Sequence, residues 1–329
     1  MKKLILILGI IACISLNACA QEKSAGNNGG GETKPAPATL EQMEEWYKTG
    51  SLWQVGTDEH KKKITDARQA LIGQGSHGLD FILTKLDIER GLELRCITTV
   101  IKGLKEIAVA PLIAKLKDEN HVVRANATDL LGGLGDPKAI AAILPLLKDT
   151  NARVSRNAVS ALTTLKAEAA IPEFISLLED RKGKTGRIGI ISGLGKFKAE
   201  EAIPILLETL DDESYAYRYG AQDALIAIGG TVFDCVSEEL KAGKAGVMRT
   251  NHLLLIMGRS DKIEHQRIIA GYLSNEDWSV RGYAVKAMGH QQLPEHIALL
   301  KQQLETEKHP FVLGRIKASL TALESPKKE

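Results

Sequence analysis

Aromatic residues are scarce in this chain: three Trp, six Tyr and five Phe among 329 residues. Hydrophobic content is nevertheless 44 %, so the core has to be aliphatic, built from Leu, Ile, Val and Ala. That suits helix packed on helix better than a β-sandwich, where aromatic and β-branched residues are favoured. Net charge is lacking too. There are 43 Lys and Arg against 41 Asp and Glu, and losing Lys2 and Lys3 with a leader leaves the two signs equal. A neutral chain carries no electrostatic footprint for nucleic acid or for an anionic membrane surface. Cysteine is sparse as well: beyond the first nineteen residues there are only Cys96 and Cys235.

The first residues read as an export signal. Lys2 and Lys3 precede an apolar run from Leu4 to Leu16 that is too short to span a membrane as a mature helix. Leu16-Asn17-Ala18-Cys19 resembles a bacterial lipobox, which implies cleavage before Cys19 and a covalent lipid on its sulfur. Residues 1–18 are then the signal peptide, 19–39 a lipidated cysteine with a flexible Gly- and Pro-rich tether, and 40–60 an N-terminal helical cap. Acyl chains contribute ~0.8 kcal/mol per buried CH₂, and two or more anchor stably. The expected location is the bacterial cell envelope. Ala20 stands where an inner-membrane retention signal would resemble Asp, which favours the outer membrane.

The rest of the chain repeats. HVVRANATDLLGGLGDPKAIAAILPLLKD, from His121, lies over ARVSRNAVSALTTLKAEAAIPEFISLLED, from Ala152, without a gap. Extended both ways, one column reads Arg95, Arg124, Ser155, Arg187, Arg218, Arg249, Arg281 and Arg315. Each unit predicts two short helices with apolar stripes, and neither can bury its stripe alone. Stacked pairs share one aliphatic core, so the spacing predicts an all-α solenoid of about eight helix pairs over residues 61–325, with a tail at 326–329. Cys96 and Cys235 fall four units apart. They cannot meet at disulfide distance, and both are expected to be buried free thiols.

The recurring elements are an acid before each unit, Val-Arg, an Ala-to-Leu stripe, Leu-Gly, and Asp-Pro-x-Ala-Ile opening the second helix. This pattern resembles the HEAT repeats of the phycobilisome-lyase type, an armadillo-like superhelix. The resemblance implies a structural ladder between neighbouring units, in which the column arginines pair with Asp118, Asp149, Asp180 and Asp212. Ser155 interrupts that ladder, with Arg156 beside it as a stand-in.

Three glycines before Asp136-Pro137 pose the question of a phosphate loop. Gly132, Gly133 and Gly135 fall where a first helix ends, as Gly193 and Gly195 do one round later. A phosphate loop would need glycine at 190 and Ser or Thr at 197, where Ile190 and Phe197 stand. These glycines are therefore expected to be turn residues.

Two sets of residues compete as candidate sites. Glu264-His265 and Glu295-His296 recur 31 residues apart near the start of adjacent second helices, a donor set suited to a metal in general. Stacked His-Glu pairs occur in a HEAT-repeat di-iron family, deoxyhypusine hydroxylase. Here the order is reversed and only two pairs stack, so that activity is not carried over. First-turn glutamates are favoured by the helix dipole, and the structural reading is preferred. The second set is aromatic: Tyr215, Tyr217, Tyr219, Trp278 and Tyr283 crowd the loops opening two units. Tyr and Trp anchor protein interfaces because they bury large area and keep a polar tip. No set of catalytic side chains converges, so the expectation is a non-enzymatic scaffold that binds another protein, with no metal, no nucleic acid and no small-molecule substrate. A chromophore lyase or chaperone, or a metal-dependent HEAT-repeat enzyme, is the alternative.

Overall fold

Helix starts are set by side-chain caps. The Asn120, Asp136 and Asn151 carboxamide or carboxylate oxygens accept from the N–H groups of Val122, Lys138 and Arg153 at 2.9 Å each, satisfying donors that the first turn leaves free. Thr39 and Gln42 form a reciprocal capping box. The computed structural model describes residues 37–324 except 54, 90, 181–185 and 292. The signal 1–18, Cys19, the tether as far as residue 36 and the tail 326–329 lie outside the described residues.

Among the described residues there are eighteen α-helices and no strand. α1 (Leu40–Gly50) comes first, followed by eight pairs. These are α2 (Asp58–Gly73) with α3 (Ser76–Leu83), α4 (Gly91–Leu104) with α5 (Glu106–Lys115), and α6 (His121–Leu134) with α7 (Ile140–Ile143). Next come α8 (Ala152–Thr164) with α9 (Ile171–Glu179), and α10 (Arg187–Phe197) with α11 (Ile203–Thr209). The last three are α12 (Tyr215–Ile228) with α13 (Thr231–Ala242), α14 (Val247–Met257) with α15 (Ile263–Gly271), and α16 (Trp278–Gln291) with α17 (Pro294–Thr306). α18 (Pro310–Glu324) closes the stack. The fold is an all-α solenoid. Among the described residues, no helix is long and apolar enough to cross a membrane.

The core follows the repeat column. Leu131, Leu162, Leu194 and Leu225 sit at one register position and are fully buried, each worth ~1.5–3 kcal/mol over an exposed state. The second helices add Ile143, Leu147, Phe174, Leu178 and Leu206. α7 is only one turn long, flanked by 3₁₀ turns at Pro137–Ala139 and Leu144–Lys148. Pro145 explains the break, because it lacks an N–H and its ring crowds the preceding turn.

Three expectations need correction. Gly132, Gly133, Gly193 and Gly195 lie inside α6 and α10, not in turns. A Cβ on Gly132 would stand 2.8 Å from Ala161 Cα, and one on Gly195 2.7 Å from Ala224 Cα. Glycine here lets successive first helices touch backbone to side chain. Gly135 is the turn residue of the unit, with φ of 76°. Lys166 and Lys198 hold the equivalent left-handed position with φ of 53° each, where a side chain costs ~1 kcal/mol or more. Cys235 is exposed, while Cys96 is buried. Finally, Ala38, assigned to the tether, is buried, and its N–H donates to Gln74 Oε1 at 2.8 Å.

Candidate functional site

The column arginines share one posture in three units. Arg124 Nη1 donates to the carbonyls of Asp118 and Glu119 at 2.8 and 2.9 Å. Its Nε and Nη2 grip the Asp149 carboxylate at 2.8 and 3.0 Å, a bidentate, charge-assisted pair. Arg281 repeats this on the carbonyls of Asn275 and Glu276 and on the Glu307 carboxylate at 2.7 and 2.9 Å. Hydrogen bonding from the guanidinium holds the Asp149 carboxyl below its ordinary range and brings Glu307 down to about 2. Arg218 has the same anchorage, Nη1 donating to the carbonyls of Asp212 and Glu213 at 2.7 and 2.9 Å. Its Nε is buried without a partner.

Arg187 keeps the 25-residue interval of Arg124 to Asp149 in a looser form: its Nη2 lies 3.7 Å from the Asp212 carboxylate, and its Nη1 donates to the Leu178 carbonyl. Other column residues depart from the ladder. Arg249 has Asn275 where an acid is needed, so it turns back to Glu239 and Asp211. Arg95 is exposed, with its guanidinium over the Trp53 ring at 5.3 Å. Asp118 follows it by 23 residues, where the formed rung from Arg124 to Asp149 spans 25, and accepts instead from the Asn120 N–H. Asp180 is exposed at the end of α9. Arg315, in the closing helix, lies over Phe311 and Tyr283 at 4.9 and 5.6 Å. Glu307 was not anticipated, but the 25-residue interval from arginine to acid, allowed one extra residue, points to it.

The five aromatic candidates belong to helices, not loops. Tyr215 is the first residue of α12 and Trp278 the first of α16, 64 % and 43 % exposed. Tyr219 packs on Tyr215 at 4.2 Å between ring centroids and edge-on to His252 at 4.8 Å. Its hydroxyl meets that of Tyr283, two units on, at 3.3 Å. Tyrosines on α12 and α16 therefore reach each other across α14. Burial and that neighbouring hydroxyl push the Tyr219 phenol upward. Tyr217 lies apart, beneath the Arg187 guanidinium at 5.2 Å. Trp278 stacks on His309 at 4.3 Å and meets Phe311 edge-on at 5.2 Å.

The sequence reading missed the wider pattern to which Tyr215 and Trp278 belong. Ile188, Val247, Met248 and Phe311 are exposed and also occupy the first or second residue of their helices. Five consecutive first helices, α10, α12, α14, α16 and α18, thus each open with an exposed large apolar side chain. In α6 and α8 that place holds His121 and Ala152. The exposed apolar residues run from four residues before the column arginine to one after it, so only the helix starts, and not the repeat register, relate them.

The Glu-His pairs do not converge. Adjacent helical residues point about 100° apart, so Glu264 and Glu295 are exposed while His265 and His296 are buried. His265 Nδ1 meets Ser260 Oγ at 2.7 Å, and His296 Nδ1 meets the Met288 carbonyl at 3.1 Å. Burial lowers both imidazoles. Among the described residues, no group of three or more His, Cys, Asp or Glu could hold a metal ion. His252 is buried in α14, its Nδ1 2.8 Å from Gln222 Oε1, and burial brings it down to about 4.

Two family models match parts of the chain. HEAT repeats match over residues 109–187 and the PBS lyase HEAT-like repeat over residues 187–212. No curated protein matches the chain. An engineered protein superposes with a TM-score of 0.46 at 16 % identity, covering 86 % of this chain and 84 % of that one. The CpcE–CpcF complex of phycocyanin lyase from Nostoc sp. gives 0.39 at 21 % identity, over 74 % of this chain and 94 % of that one. Human deoxyhypusine hydroxylase gives 0.31 at 18 % identity, over 87 % and 98 %. The chain is an all-α solenoid that carries HEAT repeats, with the PBS lyase HEAT-like repeat matched at residues 187–212.

Proposed function

We propose that this protein is a lipid-anchored scaffold of the bacterial cell envelope that captures another protein along the N-terminal edge of its first helices and acts by binding, not catalysis. The observation that carries this reading is the exposed strip of Ile188, Tyr215, Val247, Met248, Trp278 and Phe311. The fold does not require it, because α6 and α8 open with a histidine and an alanine. Exposed apolar side chains within the first two residues of five stacked helices offer apolar contacts suited to a partner's apolar face. Anchoring rests on Lys2, Lys3, the apolar run and Leu16-Asn17-Ala18-Cys19.

A photo-crosslinking residue placed at Tyr215 or Val247 in cells should yield a discrete adduct with one protein. The same residue at Ala152 should not. Equal adduct patterns at all three sites would remove the proposed edge. For the anchor, Cys19→Ala should abolish incorporation of labelled fatty acid; a mutant that still takes up label is not lipidated at this position.

A further inference from the structure

Two arginines that no acid of the described chain engages line one open cleft. It has a volume of ≈ 340 Å³, within the range of small-molecule sites, roughly 300–1,000 Å³, and lies between the turn after α1, α2 and the start of α4. Leu52, Arg68, Gly91, Leu92, Arg95 and Thr99 are among its lining residues. Leu52, Gly91, Arg95 and Thr99 are exposed, so the cleft opens to solvent.

Arg68 is the buried member, 8 % exposed. Its Nε donates to the Gly50 carbonyl at 2.8 Å, which anchors the guanidinium, and the Cys96 thiol lies beside it. Arg95 comes from α4 with its guanidinium over the Trp53 ring at 5.3 Å. Among the described residues, neither arginine has a carboxylate within ion-pair distance. Asp118 accepts from the Asn120 N–H, and Glu93 lies beside Tyr47, outside the lining of the cleft. Taking a guanidinium out of water without a counter-charge is costly, so a cleft that presents one favours an anion.

The third positive element is backbone. Gly91 and Leu92 open α4, a helix of 14 residues, and the first turn of a helix carries N–H groups without intrahelical partners and the positive end of the dipole. The Thr99 hydroxyl donates to the Arg95 carbonyl at 2.8 Å, so the donors left for a ligand are the two guanidinium groups and the helix start. Leu52 and Leu92 add apolar surface beside them.

We propose that this cleft binds a small organic anion: a carboxylate or phosphate group is held between Arg68 and Arg95 at the start of α4, and the apolar part of the same molecule rests on Leu52 and Leu92. Guanidinium groups suit either oxyanion, because their paired N–H donors match two oxygens at once. The site is formed by α2 and α4, whereas the protein-binding edge begins at α10, so neither reading depends on the other.

Calorimetric titration of the full chain in a neutral detergent, at constant ionic strength, tests the site. The probes are benzoate and phenyl phosphate, with benzyl alcohol as the uncharged control and inorganic phosphate as an anion without an apolar part. At least one aromatic anion should bind saturably and more tightly than either control, and the tighter of the two identifies the oxyanion. Arg95 is exposed, so Arg95→Gln alters the site without a buried loss; it should weaken binding about tenfold or more. Leu92→Glu places a carboxylate in the first turn of α4 and should abolish binding. Arg156→Gln, at an exposed arginine of α8 outside the cleft, should leave it unchanged. No binding of either aromatic anion overturns the proposal, as does benzyl alcohol or inorganic phosphate binding equally well. Anion binding that survives Arg95→Gln and Leu92→Glu, or that falls as much with Arg156→Gln, overturns it equally.

Discussion

Gly132 and Gly133 are neighbours in α6, yet they should respond to alanine in opposite directions. A Cβ on Gly132 would meet Ala161 Cα and Cβ at 2.8 Å each, roughly 1 Å inside ordinary carbon–carbon contact. Ala161 Cα is backbone and cannot rotate away, so α6 and α8 would have to move apart in a close-packed stack. Overpacking of this kind costs ~1–3 kcal/mol, and the better helix propensity of alanine returns at most about 1. The expected result is a net loss of ~1–2 kcal/mol for Gly132→Ala. Gly133 is exposed, and its Cβ would touch only Lys102 Cε at 3.7 Å. Gly133→Ala should therefore stabilise by about 0.5 kcal/mol. Urea midpoints of the two variants measure the difference. Amide exchange in α6 and α8 shows whether the loss is local, since a repeat stack need not unfold in one step. Equal shifts at the two positions, or a stabilised Gly132→Ala, would refute contact between these helices. Adding Ala161→Gly to Gly132→Ala should recover part of the loss, because it removes the Cβ but not the Cα.

Three further outcomes follow from named contacts. Leu162→Ala should lower stability by ~2–5 kcal/mol, and an unchanged urea midpoint would mean Leu162 does not face the stack. Glu307 is depressed to about 2 by Arg281, so its contribution is present above the unfolded glutamate value of about 4.3 and is lost as pH falls toward 2; Glu307→Gln should be destabilised at pH 7 and should converge with the parent near pH 2 in acid titrations of folding. His252 is buried and lowered to about 4, so folding favours its neutral form: that stability is full above the unfolded value of about 6.5 and is lost between there and pH 4, and His252→Leu should flatten the pH dependence of the urea midpoint across that window.

Much of the fold was legible because stacking places every unit in the same surroundings. Leu131, Leu162, Leu194 and Leu225 are buried by the same neighbours in turn, so the environment repeats with the sequence and a simple shift exposes it. Capping residues such as Asn120 and Asn151 act within two or three positions, and their effect can be read locally. The closely approached glycines could not be read that way. Gly132 and Gly133 look alike in sequence, and only the position of Ala161 on the next helix distinguishes a contact from an open surface. The lysines at left-handed helix ends were hidden for the opposite reason: glycine is the usual residue there, but stacking holds Lys166 and Lys198 in the same turn without it. Adjacent Glu-His pairs suggested convergence, whereas the helical rotation between neighbours sends one side chain outward and the other into the core.

The candidate site sits where the chain departs from its own repeat. In the unit opened by α6, the arginine has its acid, the first helix begins with a histidine, and Asn126 is buried with bonds to the carbonyls of Leu86 and Ile88 and to Arg153. Nothing polar in that rung needs a partner. From α10 onward the rules loosen together. Large apolar side chains appear at the exposed helix starts, Arg249 turns back for want of an acid ahead, and Arg218 Nε is buried without a bond. A solenoid gains nothing in stability from exposing Tyr215 or from leaving that donor unpaired. Local violations of an otherwise consistent pattern are where function is expected to override folding. Two kinds of departure, apolar and ionic, meet within one turn of α12, at Tyr215 and Arg218, so crosslinking at Tyr215 is the most direct test of the proposed edge.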